Sequence, residues 1–200
     1  MKQSREKRAR QIIAEHTPLI DSLCTAYALP PACLKAVLLM EIPALNLADH
    51  LADTVVGLNW LRFSLFHSFR MERHARNPLL KYDSSTGYGQ IFSQVAIEAI
   101  LFGRRMGLPD LSGLPGTLSP DRPEDLQLVW KRLHTDKAFN LSCSALNLLH
   151  AAFQMTGRLD VSHFRPEELK LMFSRYNGNV KQITAYGEQA YRYYLEYSGA

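Results

Sequence analysis

The chain has 200 residues, enough for one domain with a substantial core and cramped for two. Its 46% apolar and 21% charged residues are ordinary for a soluble globular protein, and 23 Lys and Arg against 19 Asp and Glu leave a net charge of +4 that suits anionic polymers without selecting one. Three cysteines, Cys24, Cys33 and Cys143, with no CxxC pair, give no support to a disulfide framework or a zinc site.

Residues 1–16 are basic, with Lys2, Arg5, Lys7, Arg8 and Arg10, and read as the solvated start of a helix. Gln11, Glu15 and His16 follow, where a secretory signal would carry an unbroken apolar stretch. Thr17-Pro18 pairs an N-cap with a first-turn proline and predicts a helix to about Ala28. Pro30-Pro31 opens the next helix, through Leu34, Val37 and Leu38 to Glu41, and Pro43 is expected to end it. Its apolar run is too short to span a bilayer.

A third helix is predicted from near Leu47 to Arg76, bent at Gly57, with Val55, Val56, Leu58, Leu61, Leu65 and Phe69 as its apolar stripe. Turn formers crowd residues 77–92, which read as a loop or short hairpin. Helical spacing returns over 93–106 and stops at Gly107-Leu108-Pro109; residues 109–123 then make a surface loop. Further helices are expected at about 123–136, 139–155 and 166–176, with a last, tyrosine-dense one from near Lys181. The fold class is mainly α, a single domain over 1–200 with at most a small β-hairpin.

Glu41 is the most informative residue. It follows Leu38, Val37 and Leu34 by three, four and seven positions, so a helix places it on their apolar face. Burial there would raise its pKa, as a general acid near neutral pH requires. A helix-end carboxylate turned to solvent or paired with an arginine is the structural alternative.

In order along the chain, the motifs resemble the lytic-transglycosylase and goose-type lysozyme superfamily. Glu41 ends the apolar run Ala36-Val37-Leu38-Leu39-Met40, and Ser85-Thr86-Gly87-Tyr88-Gly89-Gln90-Ile91 is similar to the Ser-x-Gly-x-x-Gln-Ile loop of that family. Asn140-Leu141, with Leu148 beyond it, is similar to a later helix start, and Tyr176-Asn177-Gly178 to the Tyr-Asn segment. The chain departs where Ile42-Pro43 follow the glutamate in place of Ser, where Tyr88-Gly89 replace Leu-Met, and in a long insertion after Glu41.

The resemblance implies a lysozyme-like helical domain whose loop or hairpin borders the active-site cleft, and cleavage of the MurNAc-GlcNAc bond of peptidoglycan. Glu41 would be the catalytic acid, then the base that draws the proton from the sugar 6-hydroxyl, leaving an anhydro product. Asp83 is the candidate second carboxylate, with an Asx-type turn as its alternative. Ser85, Gly87, Tyr88, Gln90, Tyr176 and Asn177 would bind substrate, Tyr88 by stacking on a sugar face. Tyr88 and Tyr176 could equally be packing residues, and Asn177-Gly178 a helix C-cap with left-handed glycine.

Tyr186, Tyr193, Tyr194 and Tyr197 share a helical face and read at least partly as core. The seven histidines show no HExxH or other zinc spacing, His67 and His74 sharing a face at most, so neither metal nor cofactor is expected. The partner expected is a peptidoglycan glycan strand, met by a monomer. A rival reading keeps the fold as a glycan-binding or structural module without turnover. A nucleic-acid binder, suggested by Arg70, Arg73 and Arg76, would need a helix-turn-helix spacing that is not seen.

Overall fold

The computed structural model describes residues 2–44, 47–66, 81–178 and 180–199. Nine helices run through them: α1 (Lys2–Glu15), α2 (Thr17–Ala26), α3 (Pro31–Ala44), α4 (Leu47–Phe66), α5 (Ser93–Arg105), α6 (Pro123–Thr135), α7 (Lys137–Thr156), α8 (Pro166–Asn177) and α9 (Ala185–Ser198). Among the described residues there is no strand, only one antiparallel bridge between Thr86 and Ile91.

A helix apolar around its whole circumference can be stable only if neighbours cover every face. α3, apolar on nearly every face, and α7, buried all round although it carries Asn140, Ser142, Ser144 and Asn147, form the centre. α3 buries Cys33, Leu34, Ala36, Val37, Leu38, Leu39 and Ile42, and α7 is buried without interruption from Phe139 to Leu149. α1 and α9 cover α3; α5 and α8 cover α7; α9 also packs on α8. The basic α1 is solvated outside but seats Ala9 and Ile13 in the core, and Arg10 links Glu6 to Glu196 of α9.

Several helix ends differ from expectation. His16, not Thr17, occupies the N-cap of α2, and the Thr17 hydroxyl donates to the carbonyl of Ile13. α3 continues through Pro43 to Ala44. In a last turn the proline forfeits one hydrogen bond, a smaller loss than in a helix interior. Thr184 caps α9 by accepting from the Gly187 amide, so that helix starts at Ala185 and not near Lys181. The 109–123 loop is lashed to the helices by Arg104, which donates to Asp110 and to the carbonyls of Leu114 and Pro115.

α4 passes through Gly57 unbroken but turns a different face inward. Asp53, Val56, Asn59 and Trp60 are buried, while Leu58, Leu61 and Leu65 of the expected stripe are exposed. The buried Asp53 carboxylate accepts from Ser84 at 2.7 Å and Thr86 at 3.0 Å, and Trp130 donates to the Ser84 hydroxyl. Polar pairing with the 81–92 loop therefore sets the rotation of α4. Phe69, the arginines at 70, 73 and 76, His67, His74 and positions 77–80 of the expected loop lie outside the described residues.

Candidate active site

Glu41 lies in the last turn of α3, on the wall of an open cleft of about 520 Å³. The Tyr186 hydroxyl of α9 donates to its Oε1 at 2.6 Å. Burial pushes the carboxyl up to about 7, against the opposing pull of the Tyr186 hydrogen bond. Burial and the neighbouring Glu41 charge hold the Tyr176 and Tyr186 hydroxyls well above the usual tyrosine range, so both remain protonated donors.

The 85–91 loop meets the acid across this cleft, which Ser85, Gln90, Tyr176 and Asn177 also line. Two helices grip the loop. Asn140 of α7 accepts from the Gly89 amide at 2.9 Å and donates to the Thr86 carbonyl at 3.0 Å; Tyr176 of α8 donates to the Gly89 carbonyl at 2.8 Å. A side chain at Gly89 would collide with Ser144 on α7. Gln90 adopts a left-handed backbone, φ 47°, and its side chain folds back to donate to the Gly87 carbonyl at 2.8 Å.

Three expected contributors take other positions. Gly87 faces away from the cleft against Asn140 and the Leu133 carbonyl, and its φ of +70° suits glycine. Tyr88 meets His16 edge to face, centroids 5.4 Å apart, with the Lys137 ammonium over its ring, and it is not among the residues that line the cleft. Asp83 is buried and accepts from the Ser93 and Gln94 amides at the start of α5, and it is not among the residues that line the cleft with Glu41. Gly178, at φ 179°, is extended, so α8 lacks the expected left-handed cap.

No family model matches the chain, and neither a curated protein nor a solved structure matches it. What the cleft can do is argued from its own groups.

Sequence reasoning missed several of them. Glu98 on α5, His150 and Gln154 on α7 and Arg175 on α8 all line the cleft. His150 stacks on Phe102 with centroids 4.6 Å apart, and burial lowers its pKa, which favours neutral imidazole. Tyr186 carried no signal of its own, because a helical stripe of tyrosines looks the same in a core and beside an acid. The three cysteines are free and buried, and burial pushes the Cys24 thiol up to about 12. Among the described residues, no three His, Cys, Asp or Glu side chains gather as a metal site would need, and no helix is long and apolar enough to cross a membrane.

Chemically, the cleft offers one carboxyl that is still about half protonated near pH 7, a tyrosine donor on that carboxyl and a polar lining. A protonated acid at the edge of a groove can deliver a proton to a leaving oxygen. Once ionised, it is stabilised by the hydroxyl already bonded to it.

Proposed function

We propose that the chain is a peptidoglycan-cleaving glycosidase with a lysozyme-like fold, working as a lytic transglycosylase on the MurNAc-GlcNAc bond. The observation that carries this reading is the Glu41 carboxyl, raised to about 7 on the wall of a cleft that the 85–91 loop and the Tyr176-Asn177 segment also border. The order of those segments along the chain supports it further.

In this mechanism Glu41 protonates the glycosidic oxygen, the bond to the muramyl anomeric carbon breaks, and an oxocarbenium-like centre forms. The resulting Glu41 carboxylate, held by the Tyr186 hydroxyl, takes the proton of the muramyl 6-hydroxyl. That oxygen closes on the anomeric carbon and gives a 1,6-anhydro ring, with Glu41 protonated again. No second carboxylate is needed, and Asp83, committed to the α5 amides, supplies none.

The Ile42-Pro43 pair directly after the acid favours the alternative of a glycan-binding module without turnover. Digestion of purified peptidoglycan followed by mass spectrometry decides. Anhydromuropeptides are expected. Reducing-end products would make the chain a hydrolase, with Glu98 as the acidic residue available in the cleft to activate water. Intact glycan that still retains the protein would establish the binding module.

A further inference from the structure

The cleft is built mainly of neutral polar groups, and Arg175 is the one Lys or Arg that lines it among the described residues. Its guanidinium is held in place by neutral partners. Nε donates to Gln154 Oε1 at 2.8 Å, and Nη1 donates to the Gly178 carbonyl at 3.0 Å. The side chains of α7 and α8 are thereby joined at the cleft wall, and Nη2 makes no hydrogen bond among the described residues. Glu98, the other acidic side chain on the wall besides Glu41, instead accepts from Gln94 on its own helix. No carboxylate among the described residues pairs with Arg175, unlike Arg10, Arg104, Arg122, Arg132 and Arg158.

A fixed, uncompensated guanidinium with a free edge in a groove is a ready donor to a carboxylate, because ordering it costs little when its other N–H groups are already held. The neighbouring His150, inclined to the neutral form, adds a polar group without competing for the anion. We infer that Arg175 binds a carboxylate carried by the muramic acid part of the substrate and so distinguishes muramyl glycans from uncharged N-acetylglucosamine chains. This rests on the glycosidase reading of the cleft. The carboxylate has two sources with one chemistry: those of the attached peptide, or the lactyl group laid bare when the peptide is absent.

The test uses the full chain carrying Glu41→Gln, so that ligands are bound and not consumed. Calorimetric titration with three tetrasaccharides is then compared before and after adding Arg175→Gln: a peptide-bearing muramyl saccharide, its peptide-free counterpart, and chitotetraose. Losing a charge-assisted hydrogen bond is expected to weaken muramyl binding about ten- to a hundredfold. Chitotetraose affinity should hold within twofold, which also shows that the variant folds. Loss confined to the peptide-bearing ligand assigns the peptide carboxylate; loss that includes the peptide-free ligand assigns the lactyl group. Equal weakening of all three, or of none, overturns the role of Arg175 while the glycan reading stands. Failure of the Glu41→Gln protein to bind any of the three overturns the glycan reading itself.

Discussion

Replacing Glu41 with Gln separates two consequences of burying a carboxyl. The carboxyl rises from 4.5 to about 7 on folding because ionising it inside the protein is costly. At 1.36 kcal/mol per pH unit, this corresponds to about 3 kcal/mol favouring the neutral form in the folded state. The sign follows from proton binding: the folded state holds this proton more tightly than the unfolded chain. Stability from this group is therefore fully present below about pH 4.5, declines as pH rises, and is gone above about pH 7. Glutamine has the same shape, can still accept from Tyr186, and never ionises. Urea unfolding should show Glu41→Gln close to the parent at pH 4.5 and more stable than it at pH 8, by up to about 3 kcal/mol. Glycan cleavage should fall by about 10²–10⁴ in the same variant, the usual worth of a general acid. A stability difference that stays constant from pH 4.5 to 8 would refute the buried, neutral Glu41, whatever the activity did.

Removing the hydroxyl that favours the Glu41 carboxylate, as Tyr186→Phe, should move the alkaline limb of the pH–rate profile upward and lower the maximal rate about tenfold. Asp83→Asn keeps one acceptor for the α5 amides, so it should cost about 1 kcal/mol in thermal unfolding and, on the proposed transglycosylase reading, leave most activity and the anhydro product. Gly89→Ala forces a methyl into Ser144 and should destabilise by about 1–3 kcal/mol in urea unfolding, with part recovered in the Ser144→Ala double variant.

The helices between 93 and 177 were legible where proline and glycine punctuate them: Gly107 ends α5, Pro123 opens α6 and Pro166 opens α8. α4 was legible as a helix but not in its facing. Hydropathy points Leu58 and Leu61 inward, whereas the hydrogen bonds of Asp53 to Ser84 and Thr86 turn them out, and such partners 31 and 33 positions apart leave no periodic trace. Glu41 stood out as a carboxylate on an apolar face. Its neighbours did not, because Tyr186 lies 145 residues away and its stripe reads as core. The turn around Gly87 was recognisable by composition. Which side of it faces the acid depends on Asn140 and Tyr176, whose grip only the packed helices reveal.

Glu41 stands on the third helix and its hydroxyl partner on the ninth, with α9 lying directly against α3. A chain growing from its N-terminus thus exposes the carboxyl long before it makes the tyrosine. A ribosome-bound chain that has reached Asn177 has the 85–91 loop and both helices that grip it, yet α3 still lacks the cover of α9. Until α9 docks, Glu41 lacks the Tyr186 hydroxyl that donates to it. Translation order therefore makes the pairing of Glu41 with Tyr186 one of the last steps in assembling the domain, complete only when the segment Ala185–Ser198 has emerged and docked.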